Sequence, residues 1–227
     1  GNATPMPQAM DAMWMRANAF AHAGKPVDSP EKLDALLRDN GTTAFIVVAH
    51  GKVIDERYYQ GYRRDSMFKC FSISKSVLSA LFGIAEAEGK IAASDRVDAH
   101  VTGIGDATLA AMRLEFPLDN LSGFEYERGF APWKQQPRMY YTTDVRDHVT
   151  QAKFAHTPGT RFVAEDLSPL LGGVALESAL RKADPKATLA DYTSKQLWQP
   201  MGAEYPAQWV LDRADDGIEK TESGLVA

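Results

Sequence analysis

The stretch Phe71-Ser72-Ile73-Ser74-Lys75-Ser76-Val77-Leu78 decides how this chain is read. It sets a serine and a lysine three residues apart at the predicted start of a helix running from about Ser72 to Glu88. Positions i and i+3 share a helix face, so the two side chains can meet. Val77, Leu78, Leu81, Phe82, Ile84 and Ala85 give the helix a broad apolar face, which predicts burial, and Gly89 is a good stop. A hydroxyl beside an amine is a nucleophile beside a base, provided that burial and a nearby cation leave some of the amine neutral. A helix start adds unpaired N–H groups and a positive end, both suited to an oxyanion. The Ser72 amide would be one donor, and a strand elsewhere has to supply the second. The spacing alone is a weak signal, because Ser29-Pro30-Glu31-Lys32 also shows it and reads as a helix cap. Context separates the two: Ser72 opens a long apolar helix shortly after a predicted hairpin, and Ser29 opens a short amphipathic one. Without that context Ser72 is a plain cap and Lys75 a solvated helix lysine.

Outward from this stretch, Thr42 to Ala49 reads as a buried strand, His50-Gly51 as a turn and Lys52 to Tyr59 as the return strand of a hairpin. Before it lie a possible short helix over Met10–Ala21 and a helix that starts at Ser29-Pro30 and stops at Asn40-Gly41. After it, helices are expected over Ala107–Met112, Asp144–Ala152, Leu167–Arg181 and Leu189–Leu197, with a loop from Leu118 to Pro137 and short extended pieces from Ala203 onward. The organisation is therefore an N-terminal arm and first helix (1–41), a hairpin and nucleophile helix (42–95) and a mostly helical lobe (96–227). Two strands do not make an independent sheet, so the hairpin calls for further strands that the sequence does not offer before residue 205.

Composition excludes several classes. With 227 residues, 44% hydrophobic and 24% charged, the chain is long enough for a real core. A net charge of −5 without a basic stripe argues against nucleic acid as a partner. No apolar run approaches the ~20 residues of a membrane span. The single cysteine, Cys70, cannot form an internal disulfide and reads as a small buried apolar residue. The five histidines lack His-x-x-x-His spacing, Gly103-Ile104-Gly105 lacks the rest of a dinucleotide motif, and there is no Gly-x-Ser-x-Gly elbow or Walker A loop. No metal or cofactor is expected. The start at Gly1-Asn2-Ala3, with no initiating Met, fits an exported protein without its signal and also a trimmed cytoplasmic one; periplasmic or secreted is the expectation.

Phe71 to Ser76, with Leu81-Phe82-Gly83-Ile84-Ala85 and Gly89-Lys90-Ile91 behind it, resembles the nucleophile helix of the serine β-lactamase and penicillin-binding protein superfamily. The likeness is to its class C-related branch of esterases, D-aminopeptidases and 6-aminohexanoate-dimer hydrolases. It continues through Pro158-Gly159-Thr160-Arg161-Phe162, Leu170-Leu171-Gly172, Leu197 to Gly202 and Glu222-Ser223-Gly224-Leu225, from about residue 42 to the end. The resemblance implies an α/β (α+β) fold, with an antiparallel sheet flanked by helices and a mostly helical lobe. It implies that Ser72 attacks a small-molecule amide or ester, that Lys75 takes part in proton transfer, and that water releases the acyl group. It also implies further C-terminal sheet strands, so the chain is expected to be part of a longer protein or to be completed by a second polypeptide.

The chain departs from that pattern at two places. Where the family carries Tyr-x-Asn, this sequence reads Ala164-Glu165-Asp166. Ala164 has no proton to move, Asp166 matches the third position and is expected to orient Lys75 or substrate, and Glu165 reads as a solvated loop carboxylate. The Lys-Thr-Gly motif is absent, and Lys220-Thr221-Glu222 is rejected as a substitute because glutamate replaces the glycine. The segment Leu121 to Tyr126 resembles the family's covering loop, so Tyr126 and Trp133 are either substrate-pocket or core and rim aromatics. The rival functional reading is a catalytically silent member that binds a ligand or partner in the old cleft.

Overall fold

The computed structural model describes residues 29–227, so the helix expected over 10–21 lies outside the described residues. These residues divide into two compact units, one ending at Ser66 and one running from Met67 to Ala227, with the cut between the hairpin and the helix that begins at Ile73.

In the first unit, helix α1 (Pro30–Asp39) starts where Ser29 accepts a hydrogen bond from the Lys32 amide at 3.3 Å, with Pro30 at its first position. It ends at Asn40, and Gly41 follows at φ +69°. Strands β1 (Ala44–Ala49) and β2 (Lys52–Tyr58) pair antiparallel through a two-residue turn. His50 and Gly51 both adopt positive φ there, 51° and 73°, as a hairpin turn of matching twist requires. The expectation of a buried first strand is corrected: Ile46 and Val48 are 51% and 61% exposed. Among the described residues this sheet has only two strands, and a two-stranded ladder leaves a face uncovered.

The second unit is built around α7 (Leu167–Ala183). Thirteen of its seventeen residues are buried, so it is enclosed on all sides rather than amphipathic. Around it pack α2 (Ile73–Ala87), α4 (Glu115–Leu118), α6 (Val145–Thr150) and α8 (Leu189–Thr193). α2 contributes Leu78, Leu81, Phe82 and Ala85 to the core, and burial of each of the three larger side chains contributes about 1.5–3 kcal/mol. Gly173 on α7 lets Thr221 approach closely, since an added Cβ would lie 2.5 Å from the Thr221 hydroxyl oxygen. Helix α3 (Ala107–Ala111) forms as expected, and the helix expected to reach Leu197 continues past α8 as a wider turn over Ser194–Trp198. The expected loop to Pro137 hides α5 (Gln135–Tyr141). Pro137 falls in its first turn, where the missing N–H costs nothing.

The sheet of this unit is small. Strand β3 (Gln208–Trp209) pairs antiparallel with β4 (Leu225–Val226), and residues 68–70 pair with the other side of β4. The Phe68 amide donates to the Ala227 carbonyl at 2.7 Å and the Cys70 amide to the Leu225 carbonyl at 2.9 Å. Cys70 is half-buried on this strip rather than buried, because alternate residues of a strand face opposite sides.

Glu177, in the middle of α7, is 1% exposed. Burial and, next, the negative Glu219 push its carboxyl up to about 7, against the pull of Arg181 2.8 Å away. The folded chain therefore holds a proton that the unfolded chain, at 4.5, has released. The resulting stability is complete below the unfolded value and is lost as pH rises through about 7. Glu177→Gln is expected to gain about 2–3 kcal/mol on the parent between pH 5 and pH 8 in urea unfolding. Parallel curves for the two proteins would refute this.

Candidate active site

The turn into α2 exposes Ser72. The strip 68–70 is hydrogen-bonded to β4 until Cys70, and the helix begins at Ile73, so the chain has to reverse within two residues. Phe71 absorbs the change at φ +45°, a left-handed conformation that is costly for a bulky residue. Ser72 is the helix N-cap, yet its side chain makes no capping hydrogen bond, and the residue is exposed. This differs from the plain-cap reading, in which the hydroxyl would be spent on the helix end. The Ser72 amide precedes the first helical hydrogen bonds, and no backbone acceptor takes it among the described residues. Two residues on, Ser74 is fully buried and accepts the Leu225 amide at 3.0 Å, tying α2 to β4.

Lys75 follows Ser72 by one turn, and the Lys75 amide donates to the Ser72 carbonyl at 3.1 Å. Its side chain is half-buried and held: the ammonium lies 2.7 Å from Asp166 Oδ1 and 3.4 Å from the Glu165 carbonyl. The charged group beside Lys75 is thus a carboxylate and not the cation that a free-amine base calls for. The other oxygen of Asp166 accepts the Tyr126 hydroxyl at 2.5 Å. Burial, and then the Asp166 charge, push the Tyr126 phenol far up, which keeps it a neutral donor. Lys75, Asp166 and Tyr126 therefore form one chain of hydrogen bonds across α2, the start of α7 and the loop that carries Tyr126.

Asp166 is available for this because Glu165 caps α7 in its place. Glu165 is 2% exposed, and its carboxylate accepts the amides of Leu167 and Ser168 and, at 3.3 Å, the Ser122 hydroxyl. Burial raises its carboxyl, and these hydrogen bonds oppose the rise. The reading of Glu165 as a solvated loop carboxylate is corrected: it holds the helix start. Ala164, at the tyrosine position, is half-buried, and its carbonyl accepts a hydrogen bond from Arg128 of the same loop as Tyr126. Trp133 is 74% exposed and makes no part of this group. Lys220 to Glu222 stand on a turn before β4 and not on a strand. Sequence reasoning missed Arg128 and the capping role of Glu165. The only signal for the latter was a carboxylate two residues before an apolar helix. Among the described residues no cluster could hold a metal ion and no helix is long and apolar enough to cross a membrane.

Comparison with known proteins agrees with this layout. Residues 33–224 match the family model described as Beta-lactamase. Among solved structures, a protein of Bacillus anthracis provisionally assigned as a 6-aminohexanoate-dimer hydrolase superposes with a TM-score of 0.73 at 24% identity, covering 86% of this chain and 53% of that one. A β-lactamase/D-alanine carboxypeptidase of Yersinia pestis, solved with citrate, gives 0.61 at 18% identity, covering 81% of this chain and 58% of that one. A class C β-lactamase gives 0.62 at 19% identity, covering 86% of this chain and 59% of that one. This chain thus spans between a half and two-thirds of the length of these structures. No curated protein matches it. With a family match over most of its length and a fold shared with these structures, the chain belongs to the Beta-lactamase family.

Proposed function

We propose that this chain carries the nucleophile half of a serine hydrolase that cleaves an amide or ester through an acyl-enzyme on Ser72. The observation that carries the reading is the exposed, uncapped Ser72 hydroxyl one turn before a lysine already wired to a carboxylate. As Ser72 attacks the carbonyl carbon, its proton passes to Lys75, which hands one of its own to Asp166, 2.7 Å away. The carbonyl electrons move onto oxygen, where the Ser72 amide supplies one donor. Collapse of the intermediate expels the amine or alcohol, which takes the proton back along the same route. Water then repeats the sequence on the ester of Ser72 and frees the acid. Tyr126 anchors Asp166 and forms part of the substrate wall, which partly answers the loss of the family tyrosine at Ala164. That loss is also what favours the second reading, a silent member that binds a ligand in the cleft without turnover.

A fluorophosphonate and a fluorescent penicillin separate these readings. Prolonged incubation of the intact protein is expected to give slow covalent labelling, with the added mass on the peptide that contains Ser72. Absence of any adduct would leave only the binding reading.

A further inference from the structure

Four successive residues at the approach to α7 are held by one segment of chain. The Val163 amide donates to the Asn120 carbonyl at 2.9 Å. The Ser122 hydroxyl donates to the Glu165 carboxylate at 3.3 Å, and the Tyr126 hydroxyl to Asp166 at 2.5 Å. Arg128 completes the set, because its guanidinium donates to the carbonyl of Ala164. Alanine has no polar side chain, so the backbone is the only part of residue 164 that can be held this way. Among the described residues no backbone amide reaches that carbonyl.

What this grip controls is the pair of acceptors that faces Lys75. One is the Asp166 carboxylate at 2.7 Å and the other is the Glu165 carbonyl at 3.4 Å. Both hang from the backbone immediately after the Ala164 carbonyl. A peptide unit is planar, so fixing one carbonyl sets the plane from which the next residue leaves. Ser122 and Tyr126 hold side chains, which can turn about their own bonds. Of these three side chains, Arg128 alone holds the backbone.

The other end of the grip is itself anchored. The Glu127 amide donates to the Gln135 side-chain oxygen at 3.1 Å, and the Glu127 carboxylate pairs with Lys134. The guanidinium charge also reaches the Tyr126 phenol, where it opposes the upward push of Asp166. Arg128 itself is exposed and contributes nothing to the core. Its place is explained by what it holds rather than by what it packs against.

We propose that Arg128 is a positioning residue of the site, locking the backbone of 164–166 so that Asp166 and the Glu165 carbonyl stay aimed at Lys75. It acts through that backbone and not on the substrate. Its effect on rate rests on the acyl-enzyme reading above; the lock does not. A misplacement of about 1 Å in such a constellation costs up to about 10²-fold in rate.

Hydrogen exchange on the intact protein reads the lock without turnover. In Arg128→Met, which keeps the apolar stem, the Leu167 and Ser168 amides that donate to Glu165 are expected to exchange at least tenfold faster than in the parent. The amides of 173–180 should be unchanged. Arg128→Lys, which can still donate to a carbonyl, should restore most of the protection. On p-nitrophenyl acetate, Arg128→Met is expected to lower kcat at least tenfold with KM within about twofold of the parent, and Arg128→Lys to recover most of the rate. Unchanged exchange, or a lysine variant no better than methionine, would overturn the lock. Faster exchange with an unaltered kcat would overturn the positioning role. A lock confirmed by exchange in a parent that releases no nitrophenol would sink the acyl-enzyme reading and spare the lock.

Discussion

Ser72→Ala is expected to abolish covalent labelling and to lower ester turnover by at least about 10⁴-fold, with a melting temperature within about 2 °C of the parent. Both halves follow from the same geometry. The hydroxyl caps nothing and the residue is exposed, so its removal leaves no buried partner unsatisfied and no cavity. What it removes is the proposed nucleophile. Ser74→Ala is the internal control, because it deletes a hydroxyl of the same type two residues away. That oxygen is buried and holds the Leu225 amide at 3.0 Å, so its loss is expected to cost about 1–3 kcal/mol and to spare labelling. Thermal unfolding and adduct mass measured on both variants read the contrast. Persistent labelling of Ser72→Ala would place the nucleophile elsewhere.

Asp166→Ala is expected to slow acylation by about 10²–10³-fold and to destabilise the chain by about 2–4 kcal/mol. The carboxylate is mostly enclosed and serves both Lys75 and Tyr126, so alanine leaves an ammonium and a phenol facing each other without an acceptor between them. Asp166→Asn keeps an acceptor for one of the two and removes the charge. It is expected to recover most of the stability but, lacking a group that can take the proton, little of the rate. Tyr126→Phe loses only the anchor and is expected to cost about tenfold. Single-turnover labelling rates alongside urea unfolding distinguish these. An Asp166→Asn protein as fast as the parent would remove Asp166 from the proton route and leave it a purely structural partner of Lys75.

Much of this was readable along the chain, wherever the controlling interactions are local. The limits of α2 at Ser72 and Glu88, the cap of α1 at Ser29 and the turn at His50-Gly51 all depend on residues within a few positions of one another. The errors have the opposite character. The exposed face of β1 depends on what covers a two-stranded sheet. α5 was hidden because Pro137 looks like a breaker until its place in the first turn is known. Glu165 looked solvated because nothing in its neighbours in sequence says that Ser122, 43 residues earlier, closes over it.

The same division runs through the site. The sequence by itself determined that a serine and a lysine open a buried helix one turn apart, since helical periodicity fixes that relation whatever the rest of the chain does. Only the tertiary structure decided what the lysine meets. Asp166 is 91 residues away from Lys75 in the chain and 40 from Tyr126, which lies between them, and their contact needs three separate elements to converge. It also decided that Glu165 would take the helix cap and leave Asp166 free, and that Arg128 would reach the Ala164 carbonyl. Charges so far apart in sequence gain partners only when burial raises the cost of leaving them alone, and burial is a property of the folded whole.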